Sequence, residues 1–477
     1  MEWLHVPDYW LARLVLQRAL GLIYLIAFAV AVREFVPLLG IRGLLPVPRF
    51  IAFVPFSSAP SLFHLRYSDR FALGAAWLGV GLSVLVIVGL PDVLPLPATM
   101  LIWVMLWALY LSFVNVGQTF YAFGWETLLL EAGFLAIFLG NATTPVPLPL
   151  VVLFRWLLFR IEFGAGLIKI RGDPCWRDLT CLYYHHETQP MPNPLSWYFH
   201  HLPKPVHRVE VLGNHFAQLV VPFLLFTPQP IATFAGLVVV VTQAWLMLSG
   251  NFSWLNAITI VLAAFTFDDR SLSALLPVAR PPAVPVLWHD VLVVLVSGLV
   301  IVLSYRPAVN LLSPRQLMNS SFEPLHLVNT YGAFGSVTRQ RYEVVVEGTA
   351  GRTIGADTEW REYEFIGKPG DPRRRPPQIA PYHLRLDWLM WFLPLGMPSQ
   401  EWFVPLLLKL LRRDAGVRRL LRRDPFADRP PRFVRATLYH YRFSTPAEHR
   451  ATGDWWVRTP LGEFVPPLSI RDADSDL

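Results

Sequence analysis

The strongest constraint on this chain is a series of apolar segments, each close to the roughly 20 residues that an α-helix needs to cross the hydrocarbon core of a membrane. No small-residue cleavage site follows the first segment, which therefore reads as an anchor rather than a cleaved signal peptide. Residues 1–304 are thus predicted to form a polytopic α-helical membrane bundle. We predict about nine spans, within a range of eight to ten, at residues 11–32, 71–90, 97–116, 123–140, 150–170, 211–226, 231–250, 252–267 and 286–304.

The composition of the chain agrees with a membrane protein. Only 16% of its 477 residues are charged and 54% are hydrophobic, whereas soluble domains carry roughly a quarter charged residues. An ordinary soluble enzyme is therefore excluded, and so is a disordered chain. The net charge of +7 comes without a recognised nucleic-acid-reading motif, so we expect no nucleic-acid partner.

The pattern changes after residue 304. Residues 342–347, 359–365 and 434–443 alternate like half-buried strands, and 383–393 and 402–411 read as amphipathic helices. Residues 305–477 are therefore predicted to form a soluble C-terminal α+β domain that ends in a frayed acidic tail at 472–477. This region holds 25 Lys and Arg against 19 Asp and Glu, and its net charge of +6 can attract anionic membrane lipids or an acidic partner.

Charged side chains within the predicted spans need an explanation, because each costs roughly 2.5–3.5 kcal/mol to insert. Two interpretations of these charged side chains remain open. The charges line a polar cavity, in which a desolvated Lys169 near Glu162 could act as a base, or they form ion pairs between helices, with Glu126 and Glu131 as partners for Arg155 or Arg160. The candidate catalytic residues under the first reading are Glu126, Glu131, Arg155, Arg160, Glu162 and Lys169.

Two polar loops, 33–70 and 171–208, interrupt the apolar series, and the second holds both cysteines, Cys175 and Cys181. Their spacing could close a small disulfide ring in an oxidising compartment. A thiol oxidoreductase is the alternative, although the spacing is not C-x-x-C. The loop motif consists of Asp173, Trp176, Arg177, Asp178, His185, His186 and Glu187.

The same loop is rich in histidine, but it does not match a zinc-binding spacing. His186-Glu187 is followed by Thr-Gln-Pro, which is not H-E-x-x-H. Zinc ligation is the weaker alternative, and we predict no metal and no cofactor.

Tryptophans outside the predicted spans could bind a partner through their large apolar surface. A small domain could equally use them for core packing. The candidates for binding are Trp388, Trp391, Trp455 and Trp456.

Several long motifs along the chain resemble those of the lipase maturation factor family. They include Val116-Gly-Gln-Thr-Phe-Tyr-Ala-Phe-Gly-Trp-Glu126, Gly172-Asp-Pro-Cys-Trp-Arg-Asp-Leu-Thr-Cys181, Asn329-Thr-Tyr-Gly-Ala-Phe-Gly335 and Tyr382-His-Leu-Arg-Leu-Asp-Trp-Leu-Met-Trp391. The resemblance covers nearly the whole chain.

The resemblance implies a function. Eukaryotic members reside in the endoplasmic reticulum membrane and assist the folding and assembly of secreted dimeric lipases, and their C-terminal domain faces the lumen. We therefore expect an integral membrane chaperone for secreted clients, lipases among them, more readily than an enzyme. The membrane half is distantly similar to that of vitamin K-dependent carboxylases, so the alternative is a membrane enzyme whose polar cavity acts on a lipid, a quinone or a secreted protein.

The sequence predicts the membrane in which the protein lies, and it gives two opposing signals for the orientation of the protein in that membrane. An arginine bias and a short chain indicate a bacterial member in the inner membrane. Both long loops are rich in arginine, so the positive-inside rule would place them and the C-terminal domain in the cytoplasm. We favour the family's extracytoplasmic orientation, because Cys175 and Cys181 suit an oxidising space.

Overall fold

The computed structural model of the chain describes residues 2–396 and 400–470. The acidic tail predicted at 472–477 lies outside the described residues. The rest divides into a helical half and a half that contains a β-sheet.

Nine helices of eight or more residues build the described part of the first 304 residues. Five of them, α1, α2, α3, α7 and α9, match predicted spans and are long and apolar enough to cross a membrane, counting the Tyr305–Leu312 helix that continues α9. In chain order the nine are α1 (Trp10–Leu39), α2 (Asp69–Val88), α3 (Leu96–Val116), α4 (Gly124–Ala136), α5 (Leu148–Arg171), α6 (Lys204–Leu219), α7 (Ile231–Ser249), α8 (Leu255–Leu262) and α9 (Leu287–Leu303).

The predicted count of nine spans is not confirmed. Helix α4 has only 13 residues, and α8 has eight before it tightens into a 3₁₀ turn. Helix α5 is 24 residues long but carries Arg155, Arg160, Glu162 and Lys169. Helix α6 carries Lys204, Arg208 and Glu210 in its first two turns. Sequence hydropathy recognises apolar length, whereas these four helices bury polar side chains against other parts of the protein.

Small residues allow α1 to approach α2 closely. A Cβ atom at Gly79 would lie 2.4 Å from the ring of Phe28, and one at Gly21 would lie 2.8 Å from Val86. Membrane helices gain no hydrophobic free energy from association within lipid, so close van der Waals packing at small residues holds them together.

The loops collect at two ends of the bundle. At one end Tyr9 contacts Gln229, and Arg13 donates to the carbonyl of Thr144 at 2.8 Å. At the other end Gln118 donates to the carbonyl of Leu45, and Asn251 joins the loop at Pro192 to the C-terminal half. The C-terminal half therefore sits on the end formed by the two long polar loops.

The C-terminal half contains a four-stranded antiparallel sheet. Its strands are β1 (Arg341–Thr349), β2 (Arg361–Glu362), β3 (Phe433–Phe443) and β4 (Trp456–Leu468), in the order β2-β1-β3-β4. Helices α10 (Arg385–Phe392) and α11 (Phe403–Leu411) contact this sheet. The strands predicted at 342–347 and 434–443 are confirmed, while 359–365 forms only two-residue strands.

The segment between the last membrane helix and the sheet runs back over α5. A Cβ atom at Gly164 would lie 2.4 Å from the carbonyl oxygen of Tyr331, and one at Gly172 would lie 2.2 Å from that of Gly335. These two positions lack side chains where the segment, residues 329–337, touches the bundle. We call this segment the return segment.

We predict that Gly164→Ala destabilises the protein, because the new methyl group meets a backbone carbonyl that cannot rotate away. Overpacking of this kind costs about 1–3 kcal/mol. The thermal unfolding midpoint of the purified protein in detergent should fall by several degrees.

The matched control is Gly213→Ala on α6, where nothing lies within 4 Å of the added Cβ. Alanine stabilises a helix by about 0.5–1 kcal/mol relative to glycine, so this midpoint should stay or rise. Equal shifts for the two variants would contradict the close approach.

Candidate functional site

The six charged residues that the sequence singled out do not converge on one cavity. They are divided among separate polar clusters, and most of their polar atoms are hydrogen-bonded within the described residues. Two of these clusters join the bundle to the C-terminal half.

The first cluster is an ion pair between Glu126 of α4 and Arg385 of α10. Arg385 Nη1 lies 2.7 Å from Glu126 Oε1, and both side chains are fully buried. The guanidinium also donates to the carbonyl of Phe120 at 2.8 Å, and it lies 3.4 Å from the ring centre of Tyr121. Tyr110 donates its hydroxyl hydrogen to the same carboxylate. We call this the Glu126–Arg385 pair.

Backbone and aromatic contacts surround the pair. The backbone N–H of Arg385 donates to Glu34 of α1 at 2.9 Å. His383 lies 3.6 Å from Glu126, and burial lowers the pKa of His383 to about 4, so it is neutral at pH 7. Trp125 and Trp388 pack edge-on against this imidazole. Arg385 therefore supplies the positive charge that balances Glu126.

The second cluster joins α4, α5 and the return segment. Glu131 pairs with Arg160, and it also accepts hydrogen bonds from the backbone of Asn329 at 3.0 Å and from the hydroxyl of Tyr331 at 2.7 Å. Arg160 in turn donates to the carbonyl of Asn329 at 2.7 Å. Both charges are buried, and both are bonded to the backbone of Asn329.

The third cluster lies between α5, α6 and α7. Lys169 Nζ donates to Gln218 at 2.7 Å and to Asn214 at 3.0 Å. Glu162 accepts from Gln218 at 3.2 Å and from Gln243 at 2.6 Å. Gln218 thus stands between Lys169 and Glu162, which we expected to act together.

Arg155 pairs with neither Glu126 nor Glu131, although both were candidate partners for it. It donates to the carbonyl of Phe265 at 2.9 Å and to the hydroxyl of Tyr9 at 2.8 Å. The three clusters and Arg155 together favour structural polar contacts over an open catalytic cavity.

The polar loop carries the predicted disulfide. Cys175 and Cys181 are bonded to each other, and they are only 3% and 0% exposed. Asp173 caps the short helix that begins at Pro174 and binds Arg339 at 2.7 and 3.0 Å, which holds the pKa of Asp173 below its usual range.

The remaining loop-motif residues divide into anchors and surface groups. Trp176 donates to the carbonyl of Phe334 at 2.7 Å, which ties the disulfide ring to the return segment. Arg177 and Asp178 are exposed. Burial lowers the pKa of His185 to about 4, and its ring packs against Phe334.

The loop also binds the sheet. Glu187 accepts the backbone N–H of Phe443 at 2.7 Å, and burial raises the pKa of Glu187 above its usual range. Arg341 of β1 donates to the carbonyls of Glu187 at 3.0 Å and Gln189 at 2.5 Å. Its partner Glu343, at 2.5 Å, also pairs with the buried Lys368 at 2.9 Å. This end of the two central strands is therefore docked on the loop.

The four candidate tryptophans differ in exposure. Trp388 and Trp456 are 4% and 1% exposed, which leaves them no surface for a client in this conformation. Trp391 is half-buried and donates to the carbonyl of Thr188 at 3.1 Å. Trp455 is half-buried beside Arg375, with 5.2 Å between the guanidinium carbon and the ring centre.

Sequence reasoning missed the partners on the C-terminal side, chiefly Arg385, Arg341 and Asn329. Hydropathy draws attention to a charge only within an apolar segment, and these residues lie in polar sequence. The sequence signal that could have found two of these residues was the motif around each of them. Asn329 is the first residue of one family-like motif, and Arg385 lies within another.

Both halves of the chain match models of one protein family. The Lipase maturation factor transmembrane domain matches residues 11–274, and the Lipase maturation factor C-terminal domain matches residues 327–466. The chain belongs to the lipase maturation factor family.

Curated relatives support this membership over nearly the full length. Lipase maturation factor 1 of Bos taurus is 45% identical over 98% of this chain and 91% of its own length, and that of Homo sapiens is 45% identical over 98% and 90%. Lipase maturation factor 2 of Rattus norvegicus is 30% identical over 94% of this chain and 82% of its own. No solved structure matches the chain significantly. With its apolar spans, this family member is an integral membrane protein.

We predict that Arg385→Met strongly destabilises the protein, because it leaves Glu126 buried without a cation. Breaking a buried pair on one side costs about 3–5 kcal/mol. The double variant Glu126→Gln/Arg385→Met should recover much of this loss, measured as SDS-induced unfolding in detergent.

Arg361→Met is the control, because Arg361 and its partner Glu359 are 56% and 74% exposed. Exposed pairs contribute about 0–1 kcal/mol. An Arg385→Met effect no larger than that of Arg361→Met would show that Glu126 does not depend on Arg385.

We also predict that the disulfide is unreactive in the folded protein, because both cysteines are buried. Native protein treated with dithiothreitol and then a maleimide should gain no label, whereas protein first unfolded in SDS should gain two. Rapid labelling of the native protein would instead favour an exchanging, oxidoreductase-type pair.

Proposed function

We propose that this chain is a membrane-anchored maturation factor that assists the folding or assembly of secreted proteins, with lipases as the client class. The observation that carries the proposal is the match of both halves to relatives named lipase maturation factors. The buried pairs described above support a chaperone over an enzyme, because three of the six candidate catalytic charges, Glu126, Glu131 and Arg160, hold the two halves together.

The client-contacting surface in this proposal is an aromatic and cationic patch, formed by Tyr198, Arg375 and Trp455. Arg375 lies 5.7 Å from the ring centre of Tyr198 and 5.2 Å from that of Trp455, and Tyr198 is 48% exposed. Rigid aromatic and arginine side chains supply much of the binding energy at protein interfaces. Such a patch can cover apolar surface of a partly folded client. Trp391 stays a second candidate.

We place the patch on the extracytoplasmic side of the membrane. The buried disulfide in the same loop supports this side, since structural disulfides persist in oxidising compartments. In a bacterium this side is the periplasm, and in a eukaryote it is the lumen of the endoplasmic reticulum. Arginine in both long loops argues for the opposite polarity, so reporter fusions at each loop are needed to measure it.

We further propose that α4, α5, α6 and α8 complete nine passes. Connections at alternating ends of the bundle support this count. Their polar side chains are tolerated because most bond to other helices or to the C-terminal half rather than facing lipid.

The proposal is tested by co-expressing the full chain with a secreted dimeric lipase and measuring active lipase per unit of lipase synthesised. The double variant Tyr198→Ala/Trp455→Ala should lower this ratio severalfold, because the client loses its aromatic contacts. Expression level and unfolding midpoint of the maturation factor should change little.

Trp360→Ala is the matched control, because Trp360 also lies under an arginine, Arg435, at 4.0 Å, but adjoins β2 at the opposite edge of the sheet. It should leave lipase output unchanged. If co-expression of the chain does not raise active lipase above the level with an empty vector, the proposed function is wrong. If Trp360→Ala lowers active lipase as much as the double variant does, the proposed client-contacting patch is wrong. Deletion of 305–477 is a poorer test, because it also removes Arg385 from Glu126 and the bonds of Asn329 and Tyr331 from Glu131.

A further inference from the structure

Two histidines and a glutamate outside the clusters above meet between the polar loop and α6. His186 lies on the short helix Leu182–Thr188, and His207 and Glu210 lie three residues apart in the first turns of α6. One ligand atom from each lies within 4.8 Å of the other two. The loop and the helix are brought together by the fold, so sequence spacing alone does not reveal the group.

The imidazoles of this group are buried and short of hydrogen-bond partners. His186 is 3% exposed and His207 is 2% exposed. Both ring nitrogens of His186, and Nε2 of His207, have no partner among the described residues. A buried polar atom without a partner costs about 1–3 kcal/mol, and native proteins leave few of them. Three such atoms in one place point to a missing partner.

The third side chain is positioned for ligation. Glu210 Oε2 lies 2.9 Å from Nδ1 of His207, close to the roughly 3.3 Å between neighbouring ligands of a tetrahedral zinc ion with bonds near 2.0–2.1 Å. The other carboxylate oxygen accepts the indole N–H of Trp245 at 3.0 Å. Ligating carboxylates commonly have such an outer hydrogen bond, which fixes their orientation.

The chemistry of the donors selects the ion. Two neutral imidazoles and one carboxylate suit Zn²⁺ and leave a fourth position for water, whereas Ca²⁺ and Mg²⁺ take oxygen ligands.

We propose that His186, His207 and Glu210 bind a zinc ion that joins the polar loop to α6. The ion binds one nitrogen of each imidazole, and in His186 that nitrogen otherwise has no partner among the described residues. Because Arg341 docks the sheet on the carbonyls of Glu187 and Gln189, directly after His186, the zinc ion also steadies the platform that carries the C-terminal half. The site is independent of the client class.

The test uses the full chain purified in detergent, stripped with a chelator, incubated with Zn²⁺ and passed through a desalting column. Inductively coupled plasma mass spectrometry should find about one zinc per chain, and zinc should raise the thermal unfolding midpoint. Wild-type protein that retains no zinc overturns the proposal, whatever the variants do.

Substitutions of the three proposed ligands test where the zinc ion binds. His186→Ala, His207→Ala and Glu210→Gln should each lose most of the zinc and the zinc-dependent rise in unfolding midpoint. His201→Ala is the matched control in the same loop, since His201 is already bonded to the carbonyl of Trp197 at 2.7 Å, and it should retain zinc. If a histidine variant does not fold, Glu210→Gln decides, because it changes a single atom. Zinc retained at full stoichiometry by Glu210→Gln and by every folded histidine variant would overturn the site.

Discussion

The structure depends on a charge that the membrane half cannot neutralise alone. Glu126 lies fully buried on a short helix, and its cation, Arg385, comes from the C-terminal half more than 250 residues later. A carboxylate in such a place must be paired or protonated, since desolvation of an unpaired charge costs several kcal/mol. The bundle is therefore electrostatically complete only when the C-terminal half is seated on it.

The same logic recurs along the interface. Glu131 and Arg160 neutralise each other and bond the return segment. Arg341, paired with Glu343, bonds the polar loop. Each contact combines a buried charge pair with backbone groups of the opposite half, and such directional bonds specify one docking geometry better than apolar contact does. These contacts join the bundle and the C-terminal half into one unit, and they give Glu126, Glu131 and Arg160 buried partners.

Periodicity and hydropathy predicted much of the fold. The five long apolar helices and the two central strands followed from local pattern, and the disulfide followed from two cysteines in one polar loop. Helix α4 is apolar apart from Glu126, Thr127 and Glu131 but only 13 residues long, and both glutamates bind partners that are distant in the sequence. The pair of Arg160 and Glu131 could be anticipated, because both residues lie in neighbouring predicted spans. The bond from Tyr331 to Glu131 could not be anticipated, because the polar sequence around Tyr331 does not indicate which buried group it contacts. The group of His186 and Glu210 was missed for the same reason.

The most direct measurement of the docking account is an experimental structure of the full chain in lipid nanodiscs by electron cryomicroscopy. The account predicts density joining the Arg385 guanidinium to the Glu126 carboxylate, near the 2.7 Å seen here, with the guanidinium stacked on Tyr121. A C-terminal half separated from the bundle, or an Arg385 side chain facing solvent while Glu126 stays buried, would contradict it.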